Sequence, residues 1–489
     1  MGGLSLISIY RELFTMIHSY HFLGTGYEPA HCREHGRQSC RASSAARART
    51  HVKRRELGLA ALAGAATACL GGWGGRGKAA GAPCRPLGIG PDVFPALNQY
   101  VRGRPLIYLD SAATTQRPSA VLDAIDDFYR RDNANPGPGF HELARRANAR
   151  YESARTTLAG FLNASSAEEI VWVRGTTEGI NLVASSWASA RLRPGDEILL
   201  TVAEHTSNLL PWRLAADATG AKVRCVDVDE EGRISLQDLE GKLCSRTRLV
   251  SFSHVSNVAG YINPAAEICA RAHRAGARVF VDAAQSAPHL ALDVQAMGCD
   301  FLAFSSHKML GPMGIGVLWA RREILEEMRP YQAGSNMAHE ADLSTETLEH
   351  AARKFGAGTP NVSGPVGLAA AVDYAAALGH EKIERHEAAL VAHALERLRS
   401  VPRLRLLGPQ APEGRIPVFS FTLEGLAPQN VARRLDAQGI AIRAGDLAAL
   451  PLLKRFGLTA AARASCYLYT RFDEIDQFAA ALGHIARSS

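Results

Sequence analysis

Several apolar runs in this chain end in residues that can do chemistry. "AFSSHKMLGPMGIG" carries Ser305, His307 and Lys308 in an apolar, glycine-flanked setting. A lysine in such surroundings is not an ordinary solvated one. Desolvation lowers the pKa of its amine and makes it a good nucleophile toward a carbonyl. "FVDAAQSAPH" closes its run on Asp282, with Gln285 just beyond. A carboxylate there needs a cationic partner, although an ion pair or a helix cap would also satisfy it. "AEHTSN" brings His205; a lone histidine of this kind is more often a structural than a catalytic imidazole. "RGTTEG" sets Thr176 and Thr177 at the start of a helical pattern. Hydroxyls and free backbone N–H groups at that point bind an anion or phosphate, or else a threonine simply caps the helix.

The elements around these residues alternate. "EIVWVRG", "EILLTV", "AKVRCVDV", "TRLVSFSHV", "ARVFVDAA" and "CDFLAFSS" have the length and composition of buried strands. Helical segments such as "SLQDLEGKL" and "PAAEICARAHRAG" lie between them. Such alternation predicts an α/β fold with a mostly parallel sheet covered on both faces. Ligands of such sheets sit beyond the carboxyl ends of the strands, where all four polar stretches fall. After about residue 365 the chain turns alanine-rich and helical, then gives "RIPVFSFTL" and "IAIRAGD", which predicts a second, smaller α/β domain. Taken together, the four stretches offer a phosphate cradle, an imidazole to stack on a ring, an acid for a pyridinium nitrogen and a reactive amine. Pyridoxal phosphate requires that set.

Charge and cysteine usage narrow the class. The formal net charge is +7, but residues 1–85 hold 12 Lys/Arg against 4 Asp/Glu, leaving 43 against 44 in the rest. The body therefore gives no electrostatic reason to expect nucleic acid. The nine cysteines are scattered without a CxxC pair or metal-ligand spacing. No metal site is expected, and the five in the body read as buried free thiols. In the arm, Arg54-Arg55 precede a short Ala/Gly/Leu-rich segment, and Ala66-Thr67-Ala68 fits a small-x-small cleavage site. The apolar part is too short and weak to span a membrane. It resembles a twin-arginine export signal, which implies a periplasmic protein; an Arg/Ala-rich leader on a cytoplasmic protein is the alternative. The expected organisation is an unpatterned extension (1–50), signal and linker (51–90), a cofactor-binding large domain (91–365) and a small C-terminal domain (366–489).

From about Phe94 nearly to the C-terminus, the sequence resembles the class V aminotransferases of the fold type I pyridoxal-phosphate enzymes, and among them the Suf-type (group II) cysteine desulfurases and selenocysteine lyases. "YLDSAATT", "VRGTTEGINLVA", "HVSNVAG", "VDAAQ", "SSHKMLGPMGIGVLW" and "GAGTPN" carry the resemblance. It implies a large domain built on a mostly parallel seven-stranded sheet plus the smaller C-terminal domain. It also implies roles. Lys308 matches the lysine that carries the cofactor, His205 the ring-stacking histidine and Asp282 the partner of the pyridinium nitrogen. Gln285 matches the residue near the phenolic oxygen. Thr176, Thr177, Ser305 and His307 match phosphate contacts. Thr359 matches a phosphate contact donated by the neighbouring subunit, which implies a homodimer. Asn257 and Arg463 match the holders of the substrate carboxylate, a task that suits a bidentate arginine. His141 matches a histidine near the substrate pocket.

Two stretches depart from the resemblance. "NPGPGFH" has Gly137 and Pro138 where the desulfurases have His and Arg. "RAGDLAALPLL" keeps Arg443 and Gly445, but Asp446-Leu447 replace a histidine pair and Ala448 stands at the position of the nucleophilic cysteine. A methyl group cannot attack a substrate sulfur and carry off a persulfide. Cofactor chemistry at Cα survives with Lys308, Asp282 and His205. The favoured expectation is carbon–sulfur or carbon–selenium lyase chemistry on an amino acid. Amino transfer, epimerisation as in the isopenicillin N epimerase-like branch, and desulfuration through another thiol such as Cys466 stay open. A non-catalytic scaffold is the contrasting class, and Lys308 argues against it.

Overall fold

The computed structural model describes residues 85–137 and 139–488, all within one compact unit. The twin-arginine segment, its cleavage site and Pro138 lie outside the described residues. None of the described helices is long and apolar enough to cross a membrane.

The site rests on a seven-stranded sheet. Its strands are β1 (Ile170–Val173), β2 (Glu197–Thr201), β3 (Lys222–Val226), β4 (Thr247–Ser253), β5 (Arg278–Asp282), β6 (Phe301–Ser305) and β7 (Gly316–Ala320). Their spatial order is β1-β7-β6-β5-β4-β2-β3. All neighbouring pairs from β6 to β3 are parallel, while β7 runs antiparallel to both β1 and β6. The mostly parallel sheet is thus present. Its seventh strand, β7, was hidden in the sequence inside a glycine-rich motif rather than set off as its own apolar run.

Side chains alternate along a strand, so continuous apolar runs fill both faces. Leu199, Val250, Val279, Val281, Leu302 and Phe304 pack on one face, with Leu158 and Ile268 of the helices α1 (Glu142–Phe161) and, further on, Ala265–Arg274. Ile198, Leu200, Leu249, Phe280 and Phe301 pack on the other, against Ile180 of α2 (Thr176–Val183) and Trp212 of α3 (Leu210–Thr219). Phe280 and Phe301 stack across neighbouring strands with ring centroids 6.1 Å apart. Each such side chain contributes roughly 1.5–3 kcal/mol by leaving water. This core holds the strand ends still.

A second sheet is antiparallel throughout. It comprises β8 (Leu404–Leu407), β9 (Val418–Leu423), β10 (Arg443–Gly445) and β11 (Ala461–Ser465), in the order β8-β9-β11-β10. Helices α4 (His380–Arg399), α5 (Pro428–Asp436) and α6 (Phe472–Arg487) supply Leu390, Leu435 and Phe478 to the core it forms with Phe419 and Phe421. The early segment Ile107–Tyr108 pairs in parallel with Ile440–Ala441, and Leu109 joins the same core. The apolar reading "IAIRAGD" is therefore divided between that short pair and β10.

One sequence expectation is corrected here. Cys269, Cys299 and Cys466 are buried, but Cys244 is half-buried and Cys225 is exposed. Cys225 sits on β3, the edge strand of the large sheet, most of whose side chains are exposed or half-buried.

Candidate active site

The strand ends converge. β1 passes through Gly175 into α2, β2 leads to His205, β5 ends on Asp282, and β6 ends on Ser305 before a single turn that carries His307 and Lys308. Together with Asn257, Gln285, Arg443 and Arg463 they line one cavity of about 530 Å³, and Thr176 and Thr177 lie in its wall. Gly175 has φ +156°, and a Cβ there would stand 3.0 Å from Ser305 Oγ. Its absence lets the Thr176 N–H donate to Ser305 Oγ at 2.9 Å, with the Thr176 hydroxyl 2.8 Å from the same oxygen. Thr177 Oγ1 donates to Ser207 Oγ at 2.9 Å. Hydroxyls thus cluster at the N-terminal end of α2, where free N–H groups favour an anion.

Burial sets the protonation states. It lowers the Lys308 ammonium to about 8, against the opposing pull of Asp282. The Lys308 amine enters no hydrogen bond or ion pair among the described residues. Burial also raises the Asp282 carboxyl, partly offset by the Ala284 N–H that donates to its Oδ1 at 2.9 Å. Burial, followed by the positive charges of Lys308 and Arg463, pushes His205 down to about 4, so its imidazole is neutral at pH 7. Its Nδ1 accepts from the Ser207 N–H at 3.1 Å, which fixes the ring. His307 is likewise held down at about 4 by burial and the neighbouring Lys308.

Two arginines add positive charge to the lining. Arg463 is buried; its Nη1 donates to the Asn257 carbonyl at 3.0 Å and its Nη2 lies 3.7 Å from Asp110. Burial lowers it to about 10, which leaves it charged at neutral pH. Arg443 donates to Asp110 at 2.7 Å from a half-exposed position. Asp110 therefore braces both arginines, a role that no local pattern in "YLDSAATT" reveals.

A loop closes the remaining side. Leu447 and Ala448 have φ of 53° and 51°, in the left-handed region. Ala448 O accepts from the Thr206 N–H at 2.7 Å and from Thr206 Oγ1 at 2.9 Å. Asn257 Nδ2 donates to Leu447 O at 2.8 Å. The Leu447 side chain is buried in a cluster with Val228, Val258, Leu452 and Phe456. Ala448 lines the cavity, and no cysteine among the described residues does. Cys466 is packed in the small-sheet core, where burial pushes its thiol far up.

Two expected residues lie outside this cavity. Thr359 lines a second cavity of about 330 Å³ with Tyr151, Arg155 and Trp172. His141 caps α1, its Nδ1 accepting from the Ala144 N–H at 3.2 Å, so its ring is committed to the helix terminus. Sequence reasoning missed Glu204. It is buried beside His205 and takes hydrogen bonds from Thr201 (2.5 Å), Asn208 (2.6 Å) and Ser253 (2.7 Å). Burial raises it to about 7. The signal was present in "AEHTSN", an acid directly after an apolar run.

The residues fit pyridoxal phosphate. Gln285 Oε1 and Arg463 Nε are buried polar atoms without a partner at residues of the cavity wall. An amine, an acid, a neutral imidazole and a hydroxyl cradle surround the same space. Comparison with known proteins agrees. The Aminotransferase class-V family model matches residues 107–478. The chain belongs to the class V aminotransferase family. It is a pyridoxal-5'-phosphate-dependent enzyme. A probable cysteine desulfurase of Halalkalibacterium halodurans is 47% identical over 390 residues, 80% of this chain and 95% of the relative. The cysteine desulfurase of an Enterobacter species is 45% identical over 393 residues, covering 80% and 96%. Among solved structures, the cysteine desulfurase CsdA of Escherichia coli superposes with a TM-score of 0.73 at 39% identity, covering 78% of this chain and 95% of that one. The cystine C–S lyase C-DES, in complex with its product cysteine persulfide, gives 0.70 at 26% identity, covering 80% and 99%.

Proposed function

We propose that this class V enzyme is a carbon–sulfur lyase acting on a cysteine-type amino acid, releasing sulfur with the leaving group instead of loading it on an enzyme thiol. One observation carries the reading: the cavity keeps the full cofactor set around Lys308, while Ala448 and no cysteine lines its loop wall. The likeness to a cystine C–S lyase of the same fold supports it.

The cofactor, when bound, withdraws electrons from the substrate Cα, which labilises its proton and lets a β-substituent depart. Lys308 holds the cofactor and moves the Cα proton; its lowered pKa keeps a useful share of neutral amine near pH 8. Asp282 holds a proton at the ring nitrogen. The neutral His205 ring gives one wall a flat, uncharged face. Thr176, Thr177, Ser305 and His307 hold the phosphate. Arg463 takes the substrate carboxylate, and Asn257 ties that arginine to the loop through its carbonyl and its amide. On a disulfide such as cystine, the Cβ–S bond breaks and its electron pair leaves with sulfur as a persulfide. The Cα proton is lost, and water converts the three-carbon remainder to pyruvate and ammonium. No oxidant or enzyme thiol is consumed.

A homodimer belongs to the same proposal. Thr359 lies outside the cavity of its own chain, as a phosphate contact donated to a neighbour requires, and Phe140 stands fully exposed. Export through Arg54-Arg55 is proposed from the sequence alone. Purified protein supplied with cysteine, cystine and selenocysteine tests the function. The lyase reading expects pyruvate with sulfide, persulfide or selenide. Loss of optical purity alone would indicate an epimerase, and a dependence on an added keto acid a transaminase.

A further inference from the structure

The loop wall carries a charge that the chemistry above does not use. Asp446 lines the cavity from an exposed position at the start of the left-handed turn. Its Oδ1 accepts from the Ala448 N–H at 3.1 Å, which holds the carboxylate in place. It enters no ion pair among the described residues, because both nearby arginines are engaged elsewhere. Arg443 is bound to Asp110 at 2.7 Å, and Arg463 is turned to the Asn257 carbonyl. Its field reaches the cavity, since the negative charge of Asp446 acts on His205.

The walls are therefore divided by sign. Arg463 and Lys308 lie within, suited to an α-carboxylate and a Cα. The exposed part of the same cavity presents a carboxylate without an ion pair beside the small Ala448. A β-substituent leaving past that carboxylate meets negative charge, which repels a sulfinate or sulfonate and attracts an ammonium. We infer that Asp446 is a specificity-determining residue that recognises a second ammonium group on the distal half of the substrate, so that the preferred substrate class is a diamino acid joined through sulfur, such as a disulfide of cysteine. This rests on the carbon–sulfur lyase reading for the reaction, but not for the binding.

Two ligands separate the two claims. In 2,7-diaminosuberate the disulfide of cystine is replaced by two methylenes, so nothing can leave from Cβ. In 2-aminosuberate the distal ammonium is also removed. Affinities of both for the holoenzyme are measured by calorimetry, with wild type and Asp446→Asn. The asparagine keeps an oxygen to accept from the Ala448 N–H. Wild type is expected to bind the diamino ligand about fivefold more tightly, and Asp446→Asn to bring the two within about twofold, as for an exposed charge pair. Equal affinities in wild type, or a preference that survives Asp446→Asn, would overturn the assignment. Because neither ligand turns over, an intact preference with no pyruvate from cystine would instead remove the lyase reading and leave Asp446 as the ammonium site.

Discussion

The strand-end wall and the loop wall of this cavity have kept different things. The strand ends present an amine, an acid, an imidazole and hydroxyls, each set by the rigid sheet beneath. The loop presents Asp446, Leu447 and Ala448, none able to carry sulfur, in a backbone held in the left-handed region by Thr206, Asn257 and a buried leucine. One wall is equipped to activate Cα. The other is a fixed boundary whose groups, on the proposed reading, select what leaves. Activation of a substrate and acceptance of its sulfur are thus separable within one fold, because they are built from elements with no shared side chains.

The largest effect should come from the strand-end wall. On the proposed roles, Lys308→Ala removes both the anchor of the cofactor and the group that moves the Cα proton. Turnover should fall by at least about 100-fold, and the visible absorption of covalently held cofactor should vanish. An unchanged spectrum would show that the two walls do not differ as described. Leu447→Ala attacks the other wall. Deleting this buried side chain should cost about 2–3 kcal/mol in chemical denaturation and loosen the loop. Cofactor absorption should persist, since no strand-end group is touched.

Acidity gives a finer comparison. On the proposed role, the neutral amine of Lys308 would capture the cofactor aldehyde, and burial lowers its pKa to about 8. Capture by apoprotein should therefore accelerate as pH rises through about 8 and level off above it. A solvated lysine would go on accelerating to a pH above 10. Stopped-flow absorption at a series of pH values reads the midpoint. The smallest effect is on the loop backbone. Ala448→Gly should stabilise the fold by about 1 kcal/mol, because glycine adopts the left-handed region without the cost that a side chain carries.

Much of this was written locally. The central strand runs were legible because both faces of the sheet are buried there, so they read as unbroken apolar stretches, and the candidate site followed as the polar residues placed where those stretches end. β7 escaped because its run merges with a glycine-rich turn. The bracing of Arg443 and Arg463 by Asp110 escaped because the partners lie more than 300 positions apart in sequence and meet only when the segment after Leu109 joins the small sheet. Glu204 was passed over beside the more eye-catching His205, though an acid closing an apolar run must find hydrogen-bond donors. His141 shows the converse limit. The resemblance matched it to a histidine near the substrate pocket, while in the fold its Nδ1 accepts from the Ala144 N–H at a helix start.

The central claim is that sulfur leaves with the substrate fragment and never rests on the protein. The direct measurement is the ratio of pyruvate to alanine formed from cystine and from cysteine, read with the intact mass of the protein during turnover. Pyruvate without alanine, and a protein mass free of an added sulfur atom, is the predicted result. Alanine in step with a protein heavier by one sulfur would contradict it and restore a desulfurase acting through another thiol.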